Sequence, residues 1–384
     1  MNGEFRLFYV KIVNTGGDGT MNILFLRAGI FSNLNHYLYE ALCRSHNVVT
    51  NVDAGKVIKR KSLQFSSWYN IFHTIIYAKK YWKQAHSKNI FAFSRMTQYC
   101  NRIVRSRTDY DIILQTQCKF SITENPYSQS YYIYTDLTQK LTDRTWHKWA
   151  LKGSPGETAR WLRMEAEAFQ RAEKIFTFND LIKASFVEDY HINPNKVVVV
   201  GSGINSDQCP EIDFNTKYDD GFILFFLTTE FDRQGGPTIV KSFEIIKQTI
   251  PDIKLVIGGQ YPKSIPGSVT VCPHLTPEII DDLFDKTSIF LMPGVIGGLQ
   301  SVMQAMSRKC VCIVGDNNLL LAHVIKNNET GFVIPTNCSK KLADKIIELY
   351  KNESVMKKIA NRACQFVYEN FTWDKVVQQM THNF

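Results

Sequence analysis

Long apolar runs are missing from this 384-residue chain: none reaches the roughly 18 residues of a membrane span, and Met1–Thr20 lacks a charged segment leading into an apolar one. Neither a transmembrane helix nor a secretion signal is expected, which points to a cytoplasmic protein. Metal-type spacing is missing too. The nine cysteines (Cys43, Cys100, Cys118, Cys209, Cys272, Cys310, Cys312, Cys338 and Cys364) include no C-x-x-C pair and have no ligand-spaced histidines beside them, so reduced thiols and no metal are expected. Cys310 and Cys312 share one face of an expected strand, where small buried hydrophobes are the ordinary reading. Repeats and low-complexity tracts are absent. Acidic residues are absent from one long stretch: between Asp53 and Asp109 there is none, while Lys56, Lys59, Arg60, Lys61, Lys79, Lys80, Lys83, Lys88, Arg95, Arg102, Arg105 and Arg107 supply twelve cations.

Phe65, Trp68, Tyr69, Phe72, Tyr77, Tyr81 and Trp82 are interleaved with those cations. Basic residues beside amphipathic rings suit an anionic membrane surface, where each Lys or Arg is worth about 1 kcal/mol. A solvated basic face over a buried aromatic stripe stands beside that reading, because Trp68, Phe72, Ile75 and Ile76 also have helical core spacing. No nucleic-acid motif accompanies the charge, so no nucleic-acid partner is expected.

What is present is an ordinary globular composition, 44% hydrophobic and 21% charged, in a chain too long for one growing core. Apolar runs alternate with amphipathic segments, the pattern of α/β units on parallel sheets. One series of strands is expected at 21–26, 48–52, 111–114, 131–134, 174–178 and 196–200. A second is expected at 222–227, 254–257, 269–272, 289–292, 311–314 and 331–334. The domains predicted are 1–205, with 1–20 an incidental extension, a linker at 206–220, a second domain at 221–362, and a helical return to the first at 363–384, with Phe366, Tyr368, Phe371 and Trp373 available for packing. The fold class expected is α/β, two Rossmann-like domains facing across a cleft, with ligands at the carboxyl ends of the strands.

Two glycine-bearing loops sit at strand-to-helix junctions. In Asp232-Arg233-Gln234-Gly235-Gly236-Pro237, glycines let backbone amides approach an anion, and Arg233 carries a forked donor. Pro293-Gly294-Val295-Ile296-Gly297-Gly298-Leu299 places three glycines within five positions, the makings of a diphosphate nest. Neither ends in the Gly-Lys-Ser/Thr of a P-loop, which argues against a nucleoside triphosphatase.

In order and spacing, four segments resemble family 4 glycosyltransferases of the GT-B class. They are Glu165-Ala166-Glu167 through Ala172 to Asn179; Asn195 through Val200 to Gly201-Ser202-Gly203-Ile204-Asn205; Phe231 to Gly236 with Pro251 to Gly259; and Gln304 to Ile313 with Asn328 to Val333. The resemblance implies a retaining, metal-independent hexosyltransferase that takes a sugar from a nucleotide-diphosphate sugar, with no further cofactor. Its partners would be that donor and a glycan or lipid-linked acceptor.

Ile296 or a neighbouring glycine, and Gln304 eight positions after Ile296, stand where most of the family has paired glutamates. Gln234 stands at the family's phosphate-binding lysine, with Arg233 next to it as a substitute. The donor side is therefore expected at Arg233, Gly235, Gly236, Gly294, Gly297, Gly298, Leu299 and Gln304. Gly29, Asn33, Gln117 and Asp136, at strand ends of the first series, form the acceptor side, with capping or turn roles equally open for Asn33 and Asp136. His36 reads as a partly exposed helix residue. No catalytic residue is assigned. The missing glutamates motivate a competing class, a non-catalytic GT-B partner subunit that binds nucleotide or glycan; an isomerase or phosphorylase has no distinctive support.

Overall fold

The computed structural model describes residues 10–12, 20–31, 33–45, 47–59, 76, 88–205, 212–217, 221–262 and 264–384. Most of the basic, aromatic stretch and most of the 206–220 linker lie outside these residues. The chain divides into two compact units, Met1–Gly203 with Trp373–Phe384, and Ile204–Thr372.

The first unit is a seven-stranded sheet. Its strands are β1 (Val10–Ile12), β2 (Asn22–Arg27), β3 (Val48–Asp53), β4 (Ile112–Thr116), β5 (Ser130–Tyr134), β6 (Lys174–Thr177) and β7 (Val197–Val199), in the order β1-β3-β2-β4-β5-β6-β7. Every pairing is parallel except β1 with β3. The 1–20 segment is thus not merely an extension, since Val10–Ile12 adds an antiparallel edge strand. Leu24, Phe25, Leu26, Ile113, Leu114, Tyr132, Ile133 and Phe176 are buried whichever face they point to, as a sheet covered on both sides requires.

The helices of this unit are α1 (Leu34–Arg44), the single turn α2 (Lys56–Lys59), α3 (Ile90–Ser106), α4 (Gln139–Thr145), α5 (Pro155–Arg171) and α6 (Asp180–Tyr190). Side-chain oxygens of Asn89, Thr138, Ser154 and Asn179 cap α3, α4, α5 and α6, and Ser154 with Glu157 completes a capping box.

In the second unit, β8 (Ile223–Thr228), β9 (Lys254–Gly259), β10 (Thr270–Cys272), β11 (Ile289–Met292), β12 (Val311–Gly315) and β13 (Phe332–Ile334) form an all-parallel sheet ordered β10-β9-β8-β11-β12-β13. Its helices are α7 (Phe214–Lys217), α8 (Gly236–Lys247), α9 (Pro277–Lys286), α10 (Leu299–Ser307), α11 (Ser339–Tyr350) and α12 (Glu353–Asn370). Cys310 and Cys312 are buried on β12 and its approach, where burial pushes both thiols up from their ordinary range.

The return to the first unit begins at Trp373, not at residue 363. Residue 363 falls inside α12, whose buried face (Met356, Ile359, Ala360, Ala363, Val367) keeps the whole helix in the second unit. Phe366 and Phe371 stay there too, 5.5 Å apart, with His323 5.5 Å from Phe371. Only the final helix α13 (Trp373–Thr381) groups with the first unit, against α1. Gly203 lies under the Trp373 ring so closely that any Cβ there would overlap it, and Trp373 is 3% exposed. Truncating a tryptophan so enclosed costs roughly 3–5 kcal/mol. Phe384 closes on Tyr132 with ring centroids 4.8 Å apart.

Candidate functional site

The glycine loops of the second unit meet through their backbones. Gly235 caps α8 at φ +96°, and a Cβ there would lie 2.7 Å from Pro293 Cγ and 2.9 Å from Gly294 N. Gly294 in turn sits on the backbone of Arg233 and Gln234, and Val295 N donates to Arg233 O at 3.2 Å. Only glycine allows this approach, and its φ at 235 belongs to the left-handed region that L side chains avoid. Gly298 caps α10 in the same left-handed conformation, at φ +79°. Neither helix has a side-chain cap. The first amides of α10 are the orphan donors and positive dipole end that bind anions, and Pro237 leaves α8 one amide fewer.

The polar side chains of these loops are turned inward. Gln234 is 5% exposed, and its carboxamide oxygen accepts from Thr228 Oγ1 at 2.8 Å, Thr229 N at 2.9 Å and Glu230 N at 3.1 Å, which fixes the turn. Arg233, also 5% exposed, runs beneath the second loop. Its Nη1 donates to Ile296 O and its Nε lies 3.2 Å from the Glu230 carboxylate. Burial pulls the guanidinium below its ordinary range while Glu230 opposes that. In this arrangement Arg233 is a strut between the loops and not a fork reaching outward. Ile296 is fully buried, so its position contributes backbone and no side chain. Gln304 is half-buried on α10, and its Nε2 donates to Asp281 on α9 at 2.8 Å. Asn318 Nδ2 donates to Gly297 O at 2.9 Å, while its buried Oδ1 has no partner among the described residues.

The first unit has a cavity of about 640 Å³ at the carboxyl ends of β2, β4 and β5. β2 pairs with β3 on one side and β4 on the other, so this is the sheet's switch point, where doubly wound folds bind ligands. Gly29, Gln117 and Asp136 all line it. Asn33 does not: it is exposed at the start of α1 and makes no side-chain cap. His36 is likewise exposed, 3.5 Å from Glu40. Asp53 anchors the cavity floor by accepting from Gly29 N and Gly55 N, each at 3.0 Å, and pairs with Arg27 at 3.3 Å. Gln117 takes φ +58°, held by its N–H to Tyr134 O at 2.9 Å and by Gln115 Nε2 to its own carbonyl at 2.8 Å.

Lys88, Lys119 and Glu165 also line the cavity and were not foreseen as site residues. Burial pushes Asp136 up to about 6, against the pull of backbone N–H groups, Lys88 and Lys119. Glu165, 3% exposed, accepts from Tyr190 Oη and from Gln139 N at 3.2 Å; burial raises it to about 7, opposed by Tyr190 and Lys88. Burial first and Lys88 second push Lys119 down to about 8. Lys119 lies three residues beyond the end of β4, the signal that would have singled it out.

Residues 207–366 match the family described as glycosyl transferases group 1, a span that holds both glycine loops. The capsular polysaccharide biosynthesis glycosyltransferase CapM of Staphylococcus aureus is 22% identical over 260 residues, 60% of this chain and 68% of that one. The chain has the GT-B fold and carries a group 1 glycosyltransferase domain over 207–366. Among solved structures, this GT-B chain is similar to sucrose-phosphate synthase from Thermosynechococcus elongatus (TM-score 0.69, 11% identity, 94% of this chain and 98% of that chain). It is also similar to Anabaena HepE in complex with UDP-glucose (TM-score 0.63, 12% identity, 94% and 99%). Those likenesses concern the glycosyltransferase fold; the group 1 match concerns the unit that carries the two capless helix starts.

Proposed function

We propose that the chain transfers a sugar, with retention of configuration and without a metal or other cofactor, from a nucleotide-diphosphate sugar to a glycan or lipid-linked acceptor at the cytoplasmic membrane face. The donor diphosphate sits at the glycine loops of the second unit, and the acceptor enters the cavity of the first. One observation carries the reading: the loops that begin α8 and α10 abut through Gly235 and Gly294, and both helices start without a side-chain cap. Fixed N–H donors stabilise a departing diphosphate where its charge develops, which is the largest contribution a protein makes to such a transfer. Arg233 holds the loops in that shape from beneath, and Gly235, Gly236, Gly294, Gly297, Gly298 and Leu299 supply the backbone. In the cavity, Asp136 receives the acceptor hydroxyl. UDP is the first nucleotide to test because HepE was solved with UDP-glucose.

Calorimetry with UDP, GDP and TDP, followed by nucleotide release from the corresponding sugars, tests this directly. Binding of one nucleotide and its release from the matching sugar are expected. No binding of any nucleotide would sink the proposal, and binding without release under any acceptor would return the chain to the partner-subunit reading.

A further inference from the structure

The cavity of the first unit holds more hydrogen-bond donors than its own residues use. Lys119 has no hydrogen bond or ion pair among the described residues, and Lys88 has one neutral partner, Gln139 Oε1 at 3.2 Å. The indole N–H of Trp161, whose residue is 3% exposed, has no acceptor among the described residues. Two of the three lining carboxylates are already occupied. Asp53 is taken by two amides and Arg27, and Glu165 by Tyr190 and the Gln139 amide. Glu165, Asp136 and Asp143 favour the charge on Lys88, and Asp136 and Asp53 that on Lys119, but none of them forms an ion pair with either ammonium among the described residues. Partly buried cations without an ion pair carry a desolvation cost that an anionic ligand offsets. Lys88 and Lys119 are near enough for the first to suppress the charge of the second, and an anion beside them reverses that penalty. Trp149 and Trp161 add apolar wall against which a sugar ring can lie.

We infer that the acceptor carries an anionic oxygen group, a phosphoryl ester or a carboxylate, which binds in this cavity at Lys119 and Lys88 with the Trp161 N–H as a third donor. The inference rests on the acceptor reading above and narrows it: a neutral glycan end would leave these donors unused. The anion belongs either to a soluble sugar phosphate or to the phosphate of a lipid-linked acceptor.

The test uses the full chain saturated with UDP, so that the donor loops are occupied, and titrates glucose 1-phosphate and, separately, farnesyl phosphate in detergent. Binding of at least one is expected, the tighter of the two naming the source, and Lys119→Ala should weaken it at least tenfold while UDP affinity and the thermal midpoint hold. Lys119 should also react with an amine-directed acylating reagent at pH 8 faster than surface lysines, read by peptide mass spectrometry, and the bound phosphate should slow that labelling severalfold. Phosphate affinity unchanged in Lys119→Ala, or labelling that phosphate does not slow, overturns the inference while leaving the donor reading intact. Loss of UDP binding in the unaltered chain overturns the donor reading instead.

Discussion

Arg233 separates two kinds of phosphate-site arginine, one that touches the ligand and one that shapes the loop around it. Its guanidinium is spent on Ile296 O and Glu230, so Arg233→Ala leaves a buried carbonyl without its donor and a carboxylate without its cation. Losing a hydrogen bond to a charged group at such a place costs about 2 kcal/mol. The expected outcome is a lowered thermal midpoint together with weaker nucleotide binding; weaker binding with an unchanged midpoint would show a direct contact instead. Glu165 gives a second residue-level prediction. Its carboxyl is raised from 4.5 to about 7 by burial, so across that window the folded chain binds more protons than the unfolded one. By linkage its contribution is fully present below about pH 4.5 and is lost as pH rises to 7. Glu165→Gln should flatten that part of the stability-against-pH curve in urea titrations, and an unaltered slope would remove Glu165 as its source.

At the level of elements, the C-terminal ends of α9 and α10 are closed by a residue from outside both helices. Lys217, at the end of α7 and 3% exposed, donates from Nζ to Phe284 O at 3.0 Å, Asp285 O at 3.1 Å and Arg308 O at 2.9 Å. These are the carbonyls a helix end leaves without partners, and a cation is the favoured group there. Lys217→Met should therefore destabilise the chain by about 3 kcal/mol in urea melts, and Lys217→Arg should not restore it, because a planar fork does not reproduce a compact three-donor head. A cost under about 0.5 kcal/mol, ordinary for a surface change, would refute the latch. The strands around this latch were legible because parallel strands buried on both faces read as apolar runs such as Ile223–Leu227. The breaks in the C-terminal helical region were not. Apolar periodicity continues from Leu342 to Met380, and the interruption at Asn352 rests on a side chain that turns back to Glu348 O at 2.8 Å, a contact no spacing rule shows. Gly29, Gln117 and Asp136 were legible as strand-end residues, whereas Lys88 and Glu165 reach the same cavity from the approach to α3 and from the middle of α5, through tertiary packing alone.

For the whole molecule, a formal charge of +9 is concentrated in a stretch that lacks any acid. Part of that charge is neutralised locally: Arg105 pairs with Glu124 at 2.8 Å and Arg107 with Asp109 at 2.6 Å, while Lys88 faces the cavity. In the sequence, Lys79, Lys80 and Lys83 fall among aromatic residues of a kind suited to headgroup depth. No helix among the described residues is long and apolar enough to cross a membrane. At about 1 kcal/mol for each Lys near an anionic surface, replacing all three by Ala should lower partition onto phosphatidylserine vesicles by roughly a hundredfold, and salt should weaken binding of the unaltered chain in the same direction. Sedimentation with vesicles of graded phosphatidylserine content measures both. Equal partition of the two proteins, with nucleotide binding intact in each, would assign the stretch to a solvated face and leave the acceptor to reach the cavity from solution.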